Sequence, residues 1–145
     1  MHVVVPQSPS DYERYYALRF EVLRKPWNQP PGSEKDDIEK QCQHAMIVTD
    51  AGEVIGVCRM QYNNPEEAQL RFMGIRADMQ GKGLGKLLLV HFEEIARKEG
   101  FKYMTLQARE KAVSFYLRNG YVNKEKTKLM WGSIQHYRME KQLEN

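Results

Sequence analysis

The chain has few cysteines and no long apolar segment. Its 145 residues include two cysteines, Cys42 and Cys58, too few for the disulfide framework of a small secreted protein, so both are predicted to be free thiols. The N-terminus has three consecutive valines and no basic segment before them, which predicts neither a signal peptide nor a membrane span. Together these absences predict a cytoplasmic protein.

The excess of positive over negative charge is also small. Lys and Arg number 22 against 19 Asp and Glu, a net charge of +3, and this excess is too small to indicate a nucleic-acid partner. No metal site is predicted, because the histidines are scattered without ligand spacing. They are His2, His44, His91 and His136. With 41% hydrophobic residues and no linker or repeat, residues 1–145 are predicted to form a single domain.

The first part of the chain predicts a strand, a helix and a loop. Val3–Val5 is predicted to be a short edge strand. Ser8-Pro9-Ser10-Asp11 supplies an N-cap, a proline at the first helical position and an acid at the third, so a helix is predicted from there to about Leu23. After a proline-containing loop, Ser33–Lys40 is predicted to be a polar helical turn or short helix. Its acids are expected on a solvated face, the alternative being that they attract a cationic amine.

The remainder of the chain alternates strands and helices. Apolar patterning predicts strands at 45–48, 54–60, 68–75 and 103–106. Two more strands are predicted between 121 and about 141, around Gly132-Ser133. One helix is predicted to follow a glycine-rich turn at 80–85 and to end at Gly100, and a second to cover 111–119. The first has a predicted apolar face of Leu84, Leu87, Leu88, Ile95 and Ala96. This order predicts a mixed α/β domain.

The glycine-rich turn, Gln80-Gly81-Lys82-Gly83-Leu84-Gly85, is the sharpest local feature. Closely spaced glycines before a helix let backbone N–H groups converge at the positive end of the helix dipole, which favours a pyrophosphate. Lys82 and Lys86 add positive charge, although an ordinary strand-to-helix turn also needs glycine. It is not a Walker A loop, because Leu87 stands where that motif has a hydroxyl residue, and its G-x-G-x-G spacing is not a dinucleotide fingerprint.

A second motif, A-x-x-F-Y-x-x-x-G-Y, runs from Ala112 to Tyr121. The Q-x-x-G-x-G turn followed by this motif resembles the GNAT superfamily of acyl-CoA-dependent N-acetyltransferases. The resemblance covers residues from about 44 to 141. The resemblance implies a twisted mixed sheet of six or seven strands flanked by about four helices. It also implies acetyl-CoA as cosubstrate without a metal, and direct attack by a primary amine within a ternary complex.

The resemblance assigns roles to individual residues. Met73, Gly74 and Ile75 would offer backbone groups to the pantetheine arm, and Tyr116 would be the general acid that protonates the leaving thiolate. The pyrophosphate would be held by Gln80, Gly81, Lys82, Gly83, Leu84, Gly85 and Lys86. Without the resemblance, the helical spacing of Tyr116 with Ala112 and Phe115 would indicate a core aromatic.

Two departures from the family pattern leave alternatives open. Lys111 stands where the family often has Asn, and a lysine can reach a phosphate instead. The predicted strand 68–75 has no carboxylate, so the general base stays open among ordered water, Glu66, Glu67 and His136. A catalytically silent acyl-CoA-binding regulatory module is therefore the alternative to an enzyme.

The acceptor is not identified by the sequence. A small-molecule or peptide amine is expected, bound by variable loops whose composition does not distinguish one amine from another. Neither nucleic acid nor a membrane is an expected partner. A homodimer is suggested by base rate alone.

Overall fold

The computed structural model describes residues 1–143, which form three α-helices and a seven-stranded sheet. The helices are α1 (Pro9–Leu23), α2 (Leu84–Lys98) and α3 (Val113–Arg118). The strands are β1 (His2–Val4), β2 (Gln43–Val48), β3 (Val54–Tyr62), β4 (Glu67–Ile75), β5 (Tyr103–Arg109), β6 (Val122–Met130) and β7 (Ile134–Gln142). Their order in the sheet is β1-β2-β3-β4-β5-β7-β6. The mixed α/β class and the strand number are as the sequence predicts.

The described residues contain three α-helices, where the resemblance implies about four. Ser33–Lys40, predicted to be a polar helical turn or short helix, contains no α-helix and ends in a 3₁₀ turn at Glu39–Gln41. The side chain of Glu39 accepts from the backbone N–H of Asp36 at 3.1 Å, and that of Asp36 accepts from the N–H of Ile38 at 3.2 Å. These local bonds give the backbone N–H groups partners other than helical carbonyls, so a turn replaces the helix.

Chain contacts divide the fold into two compact units. The first unit is Met1–Gln61 with Phe72–Phe92, and the second is Tyr62–Arg71 with the chain from Glu93 onward. The described helices include none that is both long and apolar enough to span a membrane. Cys42 and Cys58 are free thiols, as predicted.

The first unit contains α1 and the antiparallel strands β1, β2 and β3. Ser8 caps α1 by accepting from the N–H of Asp11 at 3.1 Å, while the Asp11 carboxylate accepts from the N–H of Ser8 at 3.2 Å. This reciprocal capping box begins the helix where the sequence predicts it. The helix packs onto the strands through a core of Tyr15, Leu18, Met46, Val48 and Val57.

The second unit is organised around β5. This strand pairs in parallel with β4 from Glu67 to Leu70, and antiparallel with β7 along its whole length. Arg109, at the end of β5, lies opposite His136. The β5 strand is three residues longer than the predicted 103–106, because β7 supplies partners up to Arg109. The β6–β7 hairpin forms around Gly132, as predicted.

The apolar face of α2 differs from the predicted one. Leu87 is 43% exposed and Val90 42% exposed, so the assignment of Leu87 to the buried face is wrong. The buried apolar residues of the helix are Leu84, Leu88, Leu89, Phe92 and Ala96. The side chains of the four consecutive apolar residues 87–90 project in different directions around the helix axis. Periodicity alone therefore does not determine which of them the neighbouring elements cover.

Candidate active site

The glycine-rich turn lies in the first unit, between β4 and α2. Gly81 and Gly83 have φ values of +79° and +78°, a left-handed conformation that other residues adopt only with strain. A Cβ atom added at either glycine would meet no heavy atom within 4 Å. The glycines are therefore required by backbone conformation, and the turn is open to a ligand.

The surroundings of the turn suit an anion. The first backbone N–H groups of α2 lack intrahelical acceptors, and the first turn of α2 has no acidic residue. Lys82 and Lys86 are exposed. The Gln80 side chain donates to the carbonyl of Ile75 at 3.1 Å, which ties the turn to the end of β4. The turn thus suits an anion in conformation, space and charge.

The end of β4 contains Met73, Gly74 and Ile75. Gly74 is buried, and a Cβ atom there would collide with the side chain of Val22 and lie 3.4 Å from Leu23. Glycine is therefore needed for the close packing of α1 against this strand, rather than for an unusual φ. The close contact places the last turn of α1 against the strand segment that the family resemblance assigns to pantetheine.

Phe72, just before that segment, has φ +57°, an unusual conformation for a bulky residue inside a strand. The Cζ atoms of three arginines surround its ring. They lie 4.4 Å away for Arg19, 4.8 Å for Arg59 and 5.4 Å for Arg24. Such cation–π contacts hold the ring in place while the backbone keeps its strained conformation. Phe72 thus marks a break in the regular conformation of β4 immediately before Met73.

Two of these arginines are fully buried. Arg19 and Arg59 have 0% exposure, and a buried charge is tolerated only with ionic and hydrogen-bonded partners. Arg59 makes a bidentate pair with Asp36 at 2.8 and 2.9 Å and also donates to Gln61 at 2.6 Å. Nη2 of Arg19 donates to the hydroxyl of Tyr15 at 2.9 Å. Nε of each arginine is buried without a partner.

Two acidic residues of the 33–40 segment, Asp36 and Glu39, are ionic partners of these cations. Glu34 is 8% exposed, and its carboxylate accepts from the backbone N–H of Gly32 at 2.8 Å. The predicted solvated face is therefore wrong for Glu34, Asp36 and Glu39. Because the charges of Asp36 and Glu39 are committed to Arg19 and Arg59, these two acids are also poorly suited to the alternative role of attracting a cationic amine.

Tyr116 lies in the second unit, on the short helix α3. It is 8% exposed and makes edge-to-face contacts with Phe115 and Tyr121, with ring centroids 5.0 and 5.7 Å apart. Tyr121 is itself fixed by its hydroxyl, which donates to the buried carboxylate of Glu93 at 2.9 Å. Lys141 donates to the same carboxylate at 2.9 Å. These contacts hold the Tyr116 ring in one place.

Lys111 and Arg109 precede α3. Lys111 is exposed in a 3₁₀ turn at Glu110–Ala112. Arg109 is half-buried, and burial lowers the pKa of its guanidinium, an effect that the neighbouring Tyr116 opposes electrostatically. Arg109 is not among the residues that the sequence motifs single out. Its signal in the sequence is its charge at the end of a strand that contains no other charged residue.

The three side chains considered as a general base differ in their surroundings. Glu66 forms an exposed ion pair with Lys102 at 2.6 Å. Glu67 accepts from Thr105 at 2.7 Å and from Asn63 at 2.9 Å. Although burial acts to raise the pKa of Glu67, these hydrogen bonds hold it below the ordinary value. His136 is 7% exposed, and its pKa is lowered by burial.

Comparison with known proteins defines the class of this chain. A model of the acetyltransferase (GNAT) family matches residues 12–121. The chain therefore belongs to that family and is an acyltransferase.

Individual relatives extend along nearly the whole chain. YjcF of Bacillus subtilis, named an uncharacterized N-acetyltransferase, is 24% identical over 97% of this chain and 99% of its own. An aminoglycoside 6'-N-acetyltransferase solved with coenzyme A superimposes with a TM-score of 0.83 at 13% identity, covering 100% of this chain and 98% of that one. A GNAT-family acetyltransferase from Staphylococcus aureus has a TM-score of 0.79 at 15% identity, covering 99% of each chain. The structural similarities establish the fold.

Proposed function

We propose that the protein transfers acetyl from acetyl-CoA to a primary amine by direct attack of the amine on the thioester. The observation that carries this proposal is the open glycine turn at the start of α2, with positive φ at Gly81 and Gly83 and lysines on either side of Gly83. Membership of the acetyltransferase family supports the same reaction.

The glycine turn is proposed to hold the pyrophosphate. Backbone N–H groups from Gly81 to Lys86, with the positive end of the α2 dipole, would stabilise its charges, and Lys82 and Lys86 would pair with its oxygens. Lys111, exposed beside α3, is proposed to reach another phosphate of the coenzyme in place of the family's usual Asn.

The end of β4 is proposed to bind the pantetheine arm. Met73, Gly74 and Ile75 would pair with it through backbone groups, as an added strand does. A backbone N–H near Met73 would stabilise the oxyanion formed when the amine attacks. The break in conformation at Phe72 supports this role, because strained backbone is commonly retained at sites that need a special geometry.

Tyr116 is proposed to be the general acid. The thiolate of coenzyme A leaves with an electron pair and needs a proton, which a positioned phenol can donate. The packing of Tyr116 between Phe115 and Tyr121 supports this role, because it limits the ring to one orientation. Much of the rate enhancement would come from holding amine and thioester together.

Thiol release in the presence of an amine panel tests the proposed reaction. The panel should contain an amino acid, a polyamine, an amino sugar, an aminoglycoside and a peptide N-terminus, each with acetyl-CoA. Amine-dependent thiol release with formation of the N-acetyl product supports the proposal. Acetyl-CoA binding without turnover across amine classes would favour the regulatory module instead.

A further inference from the structure

His136 lies in the second unit on β7, directly opposite the last residue of β5. We propose that Nε2 of His136 accepts the proton of the acceptor ammonium and so produces the neutral amine that attacks the thioester. This role rests on the proposed function and answers the question of the general base, which the sequence leaves open.

The hydrogen bond of the imidazole determines which nitrogen is basic. Nδ1 of His136 lies 3.0 Å from the carbonyl oxygen of Ile134. A carbonyl oxygen only accepts hydrogen bonds, so Nδ1 carries the proton, and in the neutral ring Nε2 holds the lone pair. Among the described residues, the buried side-chain atoms without a partner are Nε of Arg19 and Nε of Arg59. Nε2 of His136 is not one of them, so this atom is not completely buried.

The residues around His136 favour its neutral form. Arg109 projects from β5 to the same face of the sheet, because directly opposed residues of an antiparallel pair share a face. Arg138 and Glu140 follow on that face of β7, and Lys128 approaches from β6. Burial lowers the pKa of His136, and the positive charges of Lys128 and Arg109 lower it further. The ring is thus neutral, and able to accept a proton, at neutral pH.

Arg109 connects His136 with the proposed acid. It lies directly opposite His136 in the β5–β7 pairing and interacts electrostatically with both His136 and Tyr116. The proposed proton acceptor and the proposed proton donor are therefore coupled to one half-buried cation, within one unit. By contrast, Glu67 is already bonded to Thr105 and Asn63, and Glu66 is paired with Lys102. Among residues 1–143, His136 is the base candidate whose basic atom has no competing hydrogen bond.

The proton transfers balance with these two groups. The ammonium gives one proton to Nε2 of His136, and the amine nitrogen then forms a bond to the thioester carbon. The carbon–sulfur bond breaks, and the sulfur leaves with the electron pair and takes the hydroxyl proton of Tyr116. The second proton of the attacking nitrogen returns to the phenolate, and the imidazolium releases its proton to solvent. The products are the amide, the thiol and one proton.

The test is the pH profile of His136→Gln, with His2→Gln as the matched control because His2 is exposed on β1. At pH 7 we expect kcat/KM of the His136 variant to fall about 100-fold, within the usual range for a general base. The deficit should shrink as pH approaches the amine pKa of about 10, where solution supplies the neutral amine. Acetyl-CoA affinity should not change.

Three outcomes would overturn the role. These are a His136 variant within twofold of wild type at pH 7, a deficit that is constant across pH, and a nitrogen-15 NMR spectrum with a protonated Nε2 at pH 7. A constant deficit would indicate a structural role, which the unfolding free energy of the variant would confirm. Wild-type protein that binds acetyl-CoA but acetylates no amine would instead contradict the proposed function and, with it, the role of His136.

Discussion

Nη1 of Arg19 donates a hydrogen bond to Oε2 of Glu39 at 2.8 Å. Nη1 of Arg59 donates to the same oxygen at 2.9 Å. One carboxylate of the 33–40 segment therefore bridges two fully buried arginines, one from α1 and one from β3. The same arginines lie over the ring of Phe72 in β4, so this cluster connects the loop after α1 with the strand proposed to bind pantetheine.

Glu39→Gln is expected to destabilise the first unit. The substitution keeps the side-chain shape but removes the negative charge between two buried guanidinium groups, and breaking a buried ion pair costs about 3 kcal/mol. Urea unfolding measures the change in free energy. Glu13→Gln is the control, because Glu13 is exposed on α1 and should cost less than about 0.5 kcal/mol. Equal effects of the two substitutions would contradict the role assigned to Glu39.

Stability is expected to fall with decreasing pH in two steps. Burial lowers the pKa values of His44 and His136 below 6.5, so the unfolded chain binds more protons than the folded one as pH falls below 6.5. Burial acts to raise the pKa of Glu39, but the hydrogen bond and charge of Arg19 hold it below 4.5. Its stabilising contribution is therefore complete above pH 4.5 and is lost as pH falls through the folded-state value.

Urea unfolding from pH 7.5 to 3.5 measures both steps. Glu39→Gln should keep the first decline and lose much of the second. A wild-type free energy of unfolding that is constant from pH 7.5 to pH 5 would show that the histidines do not contribute as described.

Gly74→Ala is expected to destabilise the protein by about 1–3 kcal/mol, because the new Cβ would overlap the side chain of Val22. Combining it with Val22→Ala removes the overlapping methyl groups and should recover part of the loss. The two single variants and the double variant form a cycle whose coupling energy is read from urea unfolding. Strict additivity would show that the two side chains do not compete for space.

Tyr116→Phe is expected to lower kcat by about 100-fold or more, since the ring packing remains and only the proton donor is removed. Affinity for coenzyme A should not change. Tyr121→Phe is the matched control: it loses the hydrogen bond to Glu93 and should reduce stability while sparing turnover. Unchanged turnover in the Tyr116 variant would eliminate its role as acid.

Local sequence signals predicted much of this fold. The capping box of Ser8 and Asp11, the turn at Gly81 and Gly83, and the hairpin at Gly132 each depend on neighbouring residues, and each element forms where it was expected. The motifs also identified the family from the sequence, as the match over residues 12–121 confirms.

The signals that failed depend on distant residues. Asp36 and Glu39 looked solvated because their partner Arg59 lies 23 and 20 residues away in the chain. An arginine within the apolar strand Val54–Tyr62 was the available hint that buried acids must exist elsewhere. Likewise, the positive φ of Phe72 and the register that places Arg109 opposite His136 follow from tertiary packing and strand pairing, which periodicity does not specify.

The central claim is that the glycine turn binds the pyrophosphate of acetyl-CoA, and calorimetric titration tests it most directly. Wild-type protein, Gly83→Asp and Gly52→Asp would each be titrated with acetyl-CoA and coenzyme A. Gly52 matches Gly83 in having a positive φ and open space around it, so both variants carry similar backbone strain. Micromolar binding by the wild type and Gly52→Asp, abolished in Gly83→Asp, is the predicted result. Wild-type protein that does not bind, or Gly83→Asp that binds normally, would contradict it.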